Sequence, residues 1–160
     1  MMAPCTVRAA TRKDSTAILA CLEEAFAPYR EAYTPGAFAD TVLTQASLAA
    51  RFETMTILVA VVPEEGIAGT IAAGVDGDEG HLRGMAVRSA WQGRGVAQLL
   101  LEAAESLLLS HGCRRVTLDS TAPLERAVRF YRNYGYKSTG RVQDFYGMPL
   151  HEFARDLAGG

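Results

Sequence analysis

Gln92-Gly93-Arg94-Gly95-Val96-Ala97 follows the apolar run Met85-Ala86-Val87 and opens a long amphipathic stretch, so its glycines place backbone N–H groups at the start of a helix. Those groups have no intrahelical partner, and the helix dipole favours negative charge beside them. The turn therefore suits an anion such as the phosphate of a cofactor. A tight loop that needs positive φ at Gly93 or Gly95 would use the same residues without any ligand. Two familiar phosphate patterns do not fit. The chain has no Gly-x-x-x-x-Gly-Lys-Ser/Thr, and no Gly-x-Gly-x-x-Gly behind an early strand. The other side chains able to move a proton near this region are His81, with Glu79 one pleat away, and Tyr131, which shares a helix face with Leu124, Ala127 and Val128 as a core tyrosine would.

The elements that must position these residues follow from periodicity. Residues 7–10 read as a short opening strand, and Thr11 to Asp14 as the cap of a helix carrying Ile18, Leu19, Leu22, Ala25 and Phe26. Pro28, Pro35 and Gly36 break the chain, and a short second helix is expected over residues 37–45. Residues 56–62 and 66–75 read as a β-hairpin, followed by a strand over 81–87. In that strand Leu82 and Met85 are both apolar but three apart, which strict alternation would put on opposite faces. Either Gly84 marks a β-bulge, which would splay the strand from its neighbour, or the strand is buried on both faces. Val96, Leu99, Leu100, Ala103, Leu107 and Leu108 then form the apolar stripe of a helix ending at His111-Gly112, and 115–119 is the next strand. Strand, helix and strand in that order imply a parallel pair with a right-handed crossover. A helix starting at Thr121 and Pro123 and closing at Gly135 precedes strands around 137–145 and 150–156.

Gln-x-x-Gly-x-Ala after a strand, followed some 30 residues later by Ala127-Val128-Arg129-Phe130-Tyr131-Arg132-Asn133-Tyr134-Gly135-Tyr136, resembles the GNAT superfamily of acyl-CoA-dependent N-acetyltransferases. The resemblance is close over 79–140 and looser outside. It implies an α/β, three-layer α-β-α fold of a single domain over residues 1–160, around a mixed, mostly antiparallel sheet of six or seven strands. It implies acetyl-CoA as cofactor, with its pyrophosphate on the backbone of Gln92, Gly93, Arg94, Gly95, Val96 and Ala97 and its pantetheine along Met85, Ala86 and Val87. The freed amide near Met85 would be the donor to the acetyl carbonyl. Tyr131 matches the tyrosine that returns a proton to the departing thiolate, and His81 falls where several members carry an acidic base. A strand histidine also serves as a plain structural residue, Glu79 is a rival, and many members use ordered water instead; Asp119 is a weaker candidate, better suited to holding a loop or the substrate ammonium. Leu124 departs from the Asn or Ser usual near that place. Tyr29, Arg30, Tyr33, Phe38, Asp144, Tyr146 and Met148 would line the acceptor. The implied activity is acetyl transfer to a small-molecule or peptide amine by direct attack in a ternary complex. A catalytically silent acyl-CoA-binding or sensing module is the alternative, and a homodimer is compatible with either.

Composition narrows the setting. At 160 residues the chain is long enough for a core without metals or disulfides, and a net charge of −2 argues against a nucleic-acid surface. Cys5, Cys21 and Cys113 are odd in number and scattered, which suggests neither disulfides nor a metal site and suits a reducing cytoplasm. No apolar run has the length of a signal peptide or a membrane span.

Overall fold

Apolar β-rich runs separated by tight turns pair here in sequence order before the chain crosses over. In the computed structural model, which describes residues 5–157, β1 (Thr6–Ala9) pairs with β2 (Thr56–Val62), β2 with β3 (Gly66–Asp76) and β3 with β4 (Glu79–Val87), all antiparallel. β5 (Arg115–Ser120) lies parallel to β4 and antiparallel to β7 (Met148–Asp156), and β6 (Lys137–Phe145) pairs with β7 at the edge. The sheet has seven strands in the order β1-β2-β3-β4-β5-β7-β6.

Helices cover both faces, which is why the β2 sequence Ile57-Leu58-Val59-Ala60 is apolar without alternation. Leu58 and Ala60 join the core beneath α4 (Val96–Ser110) and α5 (Glu125–Asn133). Ile57 and Val59 join the core beneath α1 (Ser15–Phe26), α2 (Pro35–Thr41) and α3 (Gln45–Thr54). This is the three-layer arrangement.

The oddity in β4 resolves as a bulge. Ala72 pairs with Arg83 and Thr70 with Ala86, so Gly84 and Met85 together oppose Ile71, and Gly84 has φ 62°. A glycine in the left-handed region at the first bulged position is what this geometry requires. The extra residue returns Met85 to the face of Leu82: both pack in the α4 and α5 core, while Ala86 enters the opposite one.

Elsewhere the expectations shift by small amounts. The buried stripe of α4 is Val96, Leu100, Leu101, Ala104 and Leu108, with Leu99, Ala103 and Leu107 half-buried, so the helix is rotated slightly from the stripe expected. The short helix expected over 37–45 is instead two helices. Pro35 does not break the chain but opens α2 in its first turn, behind Thr34, whose hydroxyl oxygen accepts from the Ala37 N–H at 3.2 Å. The chain then leaves the helix at Val42, and Thr44 and Ser47 cap α3 reciprocally. β7 also begins two residues earlier than expected, because Tyr146 and Gly147, both at positive φ, make a two-residue hairpin turn from β6.

The sheet and α4 approach closely where glycine removes a side chain. A Cβ on Gly80 would lie 2.6 Å from Cδ1 of Leu108, a side chain with no exposed surface. Gly80→Ala is therefore expected to destabilise the fold by about 1–3 kcal/mol, the usual cost of overpacking a filled core. Urea unfolding checks it, and an unchanged midpoint would mean that α4 is free to move off the sheet.

Candidate active site

Parallel pairing of β4 with β5 lasts only from Glu79–Arg115 to Leu82–Leu118. Beyond it β4 stays with β3 through Thr70–Ala86 and Gly69–Val87, while β5 stays with β7 through Asp119–Glu152 and Ser120–His151. The two strands part at the bulge, and a cavity of about 790 Å³ fills the gap. The β4 edge facing β5 is left without a strand partner from Arg83 onward, and the side-chain amide of Gln92 donates to the Val87 carbonyl at 3.0 Å.

At one end of the cavity stands the glycine turn. Gly93 has φ 74° and Gly95, the residue capping α4, has φ 86°, so the turn needs both glycines and also frees backbone donors. No side chain caps α4, no acidic residue lies in its first turn, and Gly93, Gly95, Ala97 and Gln98 line the cavity. Val96 buries its side chain in the core, and Arg94 stacks over Trp91 with its guanidinium carbon 4.9 Å from the ring centroid. The start of a 15-residue helix, unclaimed by the protein's own side chains, fits a pyrophosphate. The unpaired edge at Met85 to Val87 fits an arm carrying amides.

Tyr131 reaches the cavity from α5, between Phe130 and Tyr136 at ring-centroid distances of 5.5 and 5.7 Å. Tyr136 is fixed in turn, its hydroxyl donating to Glu105 at 2.7 Å while Arg155 donates to the same carboxylate. Burial raises the Tyr131 pKa well above that of an ordinary phenol, because a phenolate there would be desolvated. Its proton is held at neutral pH. Such a phenol is a weaker acid than an exposed tyrosine.

Two elements bring His81 and Asp119 together. His81 opposes Thr117 in the parallel register, and its Nδ1 lies 2.7 Å from the Thr117 hydroxyl while Nε2 lies 3.5 Å from an Asp119 carboxylate oxygen. Burial lowers the His81 pKa and the Asp119 charge opposes that shift; burial raises the Asp119 pKa against the pull of His81. A neutral ring with the hydroxyl donating to Nδ1 turns its Nε2–H toward the carboxylate, which avoids facing a lone pair to an anion. Glu79 does not join them. It lies at the start of β4, paired with Arg115 at 2.8 Å, outside the cavity.

Of the residues expected along the acceptor side, Tyr29 and Tyr33 line the cavity, and the Tyr33 hydroxyl meets that of Thr121 at 2.6 Å. The others do not. Arg30 stacks on the buried Phe38, Asp144 receives the Gly147 N–H at 3.4 Å, Tyr146 covers Gly36, and the Met148 sulfur accepts from Thr34. Gln143, Phe145 and Leu150 take their places on β6 and β7, and Leu124 contributes an apolar wall. Asp40, Arg51 and Arg83 also line the cavity and were not expected there: α3, which carries Arg51, was not foreseen, and the Arg83–Asp40 pair joins residues 43 apart in the chain.

The chain belongs to the acetyltransferase (GNAT) family, whose model matches residues 18–136 and whose members use acetyl-CoA as cosubstrate. Aminoglycoside N(6')-acetyltransferase type 1 of Stenotrophomonas maltophilia is 36% identical over 75 residues, 47% of this chain and 48% of that protein. The chain thus matches about half the length of this curated relative. The fold is that of the ribosomal-protein-S18-alanine N-acetyltransferase of Escherichia coli, with a TM-score of 0.78, 17% identity and 98% and 96% of the two chains covered. The PaiA N-acetyltransferase of Thermoplasma acidophilum, solved with coenzyme A, superposes with a TM-score of 0.76 at 15% identity over 92% and 97%. Among the described residues no helix is long and apolar enough to cross a membrane, and no cluster of His, Cys, Asp or Glu is placed to hold a metal ion.

Gly95→Glu puts a carboxylate at the start of α4 and is expected to abolish acetyl-CoA binding. Gly95→Ala, which carries the same positive-φ strain without the charge, is expected to retain part of it. Calorimetry on both variants checks this, and equal losses would show that backbone strain rather than anion binding explains the effect.

Proposed function

We propose that this chain is an N-acetyltransferase that moves an acetyl group from acetyl-CoA to a primary amine by direct attack in a ternary complex. The observation that carries this reading is that the uncapped start of α4, the unpaired edge of β4 and Tyr131 meet in one cavity. A silent acyl-CoA-binding module would need the first two and have no use for the third.

Bound acetyl-CoA supplies the activated acyl group as a thioester. The turn from Gln92 to Ala97 would hold its pyrophosphate, the β4 edge at Met85, Ala86 and Val87 would pair with its arm, and the Met85 N–H at the bulge would be the donor to the acetyl carbonyl. The amine approaches from the side of His81 and Asp119. A base is needed there, because an alkyl ammonium of pKa ~10.4 is only about one part in a thousand neutral at pH 7. His81 and Asp119 act as a pair: the ring orients the carboxylate, and a buried carboxylate accepts a proton more readily than an exposed one. Tyr131 keeps its proton at neutral pH and presents it where the sulfur leaves. Unpaired Cys5, Cys21 and Cys113 fit a reducing compartment such as the cytoplasm.

The test is an acceptor screen that follows thiol release. Tyr131→Phe should lower turnover by about 10² to 10⁴-fold with acetyl-CoA affinity nearly unchanged. A drop within about threefold would make Tyr131 a packing residue. Binding of acetyl-CoA with no transfer to any amine would favour the silent module.

The pH profile tests the pair separately. Burial lowers the His81 pKa and raises that of Asp119, so the acid limb of kcat/KM, set by proton uptake on the pair, should lie below the ~6.5 of a free imidazole and above that of an exposed carboxylate. Asp119→Asn should move the limb toward the pKa of the amine itself, and His81→Ala, which leaves the carboxylate in place, should move it less. A limb unchanged in both variants would assign proton removal to solvent.

A further inference from the structure

Arg51 differs from the other cations at the cavity. It extends from α3 to the bulge, with Nη1 2.9 Å from where a Cβ on Gly84 would stand. Among the described residues its half-buried guanidinium makes no ion pair, while Arg83 beside it is held by Asp40 at 3.2 Å. Burial and the Arg83 charge lower the Arg51 pKa to about 10, with Asp40 opposing. A guanidinium carries five donors and no acceptor, so a half-buried one without a partner is costly unless something else supplies an anion. Here two arginines face one carboxylate, leaving a positive charge in excess at the wall of the cavity.

Along the same strand the sign reverses. His81 is two residues before Arg83, about 7 Å along an extended strand, and with Asp119 it forms a neutral and negative pole suited to an ammonium. The cavity is thus polar in a defined sense, with a cation-seeking end at His81 and Asp119 and an anion-seeking end at Arg51.

Resting on the N-acetyltransferase reading above, we propose that the acceptor is a primary amine that also carries an oxyanion, a carboxylate or phosphate, a few bonds from its nitrogen, and that Arg51 recognises that group. The planar guanidinium fork matches either oxyanion with two parallel hydrogen bonds. The position of Arg51 beside the bulge keeps the oxyanion close to the reacting nitrogen, which fits a short amino acid or phosphoamine. A polycation brings more positive charge against Arg51 and Arg83, so an aminoglycoside is a poor acceptor here even though a relative bears that name.

The experiment uses the full chain with acetyl-CoA and follows thiol release. The acceptors are the common amino acids, the same amino acids as carboxamides, O-phosphoethanolamine and kanamycin. At least one amino acid or O-phosphoethanolamine should be acetylated, and which of them is used separates carboxylate from phosphate. For a carboxylate acceptor, kcat/KM should exceed that of its amide by about tenfold or more, as for loss of one charge-assisted pair. Arg51→Gln should raise KM for the anionic acceptor by about 10- to 100-fold and leave the amide or kanamycin within about threefold. Arg51→Lys, with the charge but not the fork, should fall between, and thermal melts confirm that both variants fold. Amides or kanamycin preferred over every anionic acceptor would overturn the inference while leaving the N-acetyltransferase reading intact. So would an equal fall in kcat for charged and neutral acceptors in Arg51→Gln, which would place Arg51 at the acetyl carbonyl. Failure to bind acetyl-CoA in calorimetry would instead defeat the N-acetyltransferase reading itself.

Discussion

The bulge at Gly84 and Met85 is the constraint on which the site depends. By opposing two residues to Ile71 it turns β4 away from β5 just where their parallel ladder ends, in the middle of the sheet. A continuous ladder would satisfy every backbone group there and leave no room for a ligand. The interruption instead leaves donors and acceptors facing a cavity, where a ligand with amides can take the place of a strand.

An opened sheet needs support from its surroundings, and α4 and α5 provide it. α4 lies against Gly69 and Gly80, its leucines filling the space that side chains there would occupy, so the strands on one side of the gap are held from above. On the other side, Tyr136, Glu105 and Arg155 tie the end of α5 to α4 and β7. Tyr131 is thereby fixed in the gap between two anchored layers. The same packing that holds it also raises its pKa, so its position and its protonation state have one cause.

How much of this was legible in the sequence depended on how local the signal was. The glycine turn and the amphipathic helix behind it could be read from spacing, and the Gly84 bulge was one of two readings open for its strand, because each is set within a few residues. The sequence around α3 has one fully buried residue, Leu48, so its periodicity is faint; its reciprocal Thr44 and Ser47 cap was the signal available. Missing that helix meant missing Arg51. His81 and Asp119 were each visible as candidates, but their pairing follows from the register of a parallel ladder across a crossover, which no local pattern encodes. Glu79 looked equivalent to His81 on the strand, and only the Arg115 opposite it shows why its carboxylate is engaged elsewhere.

If the unpaired edge of β4 and the free start of α4 together bind acetyl-CoA, their backbone N–H groups should be protected by it. Amide hydrogen exchange, compared with and without acetyl-CoA, reads those backbone groups directly. Slowed exchange is expected in residues 85–87 and 93–98, with little change in β1, β2 and β6. Slowing confined to other segments, or none in either of these two at saturating acetyl-CoA, would contradict that mode of binding.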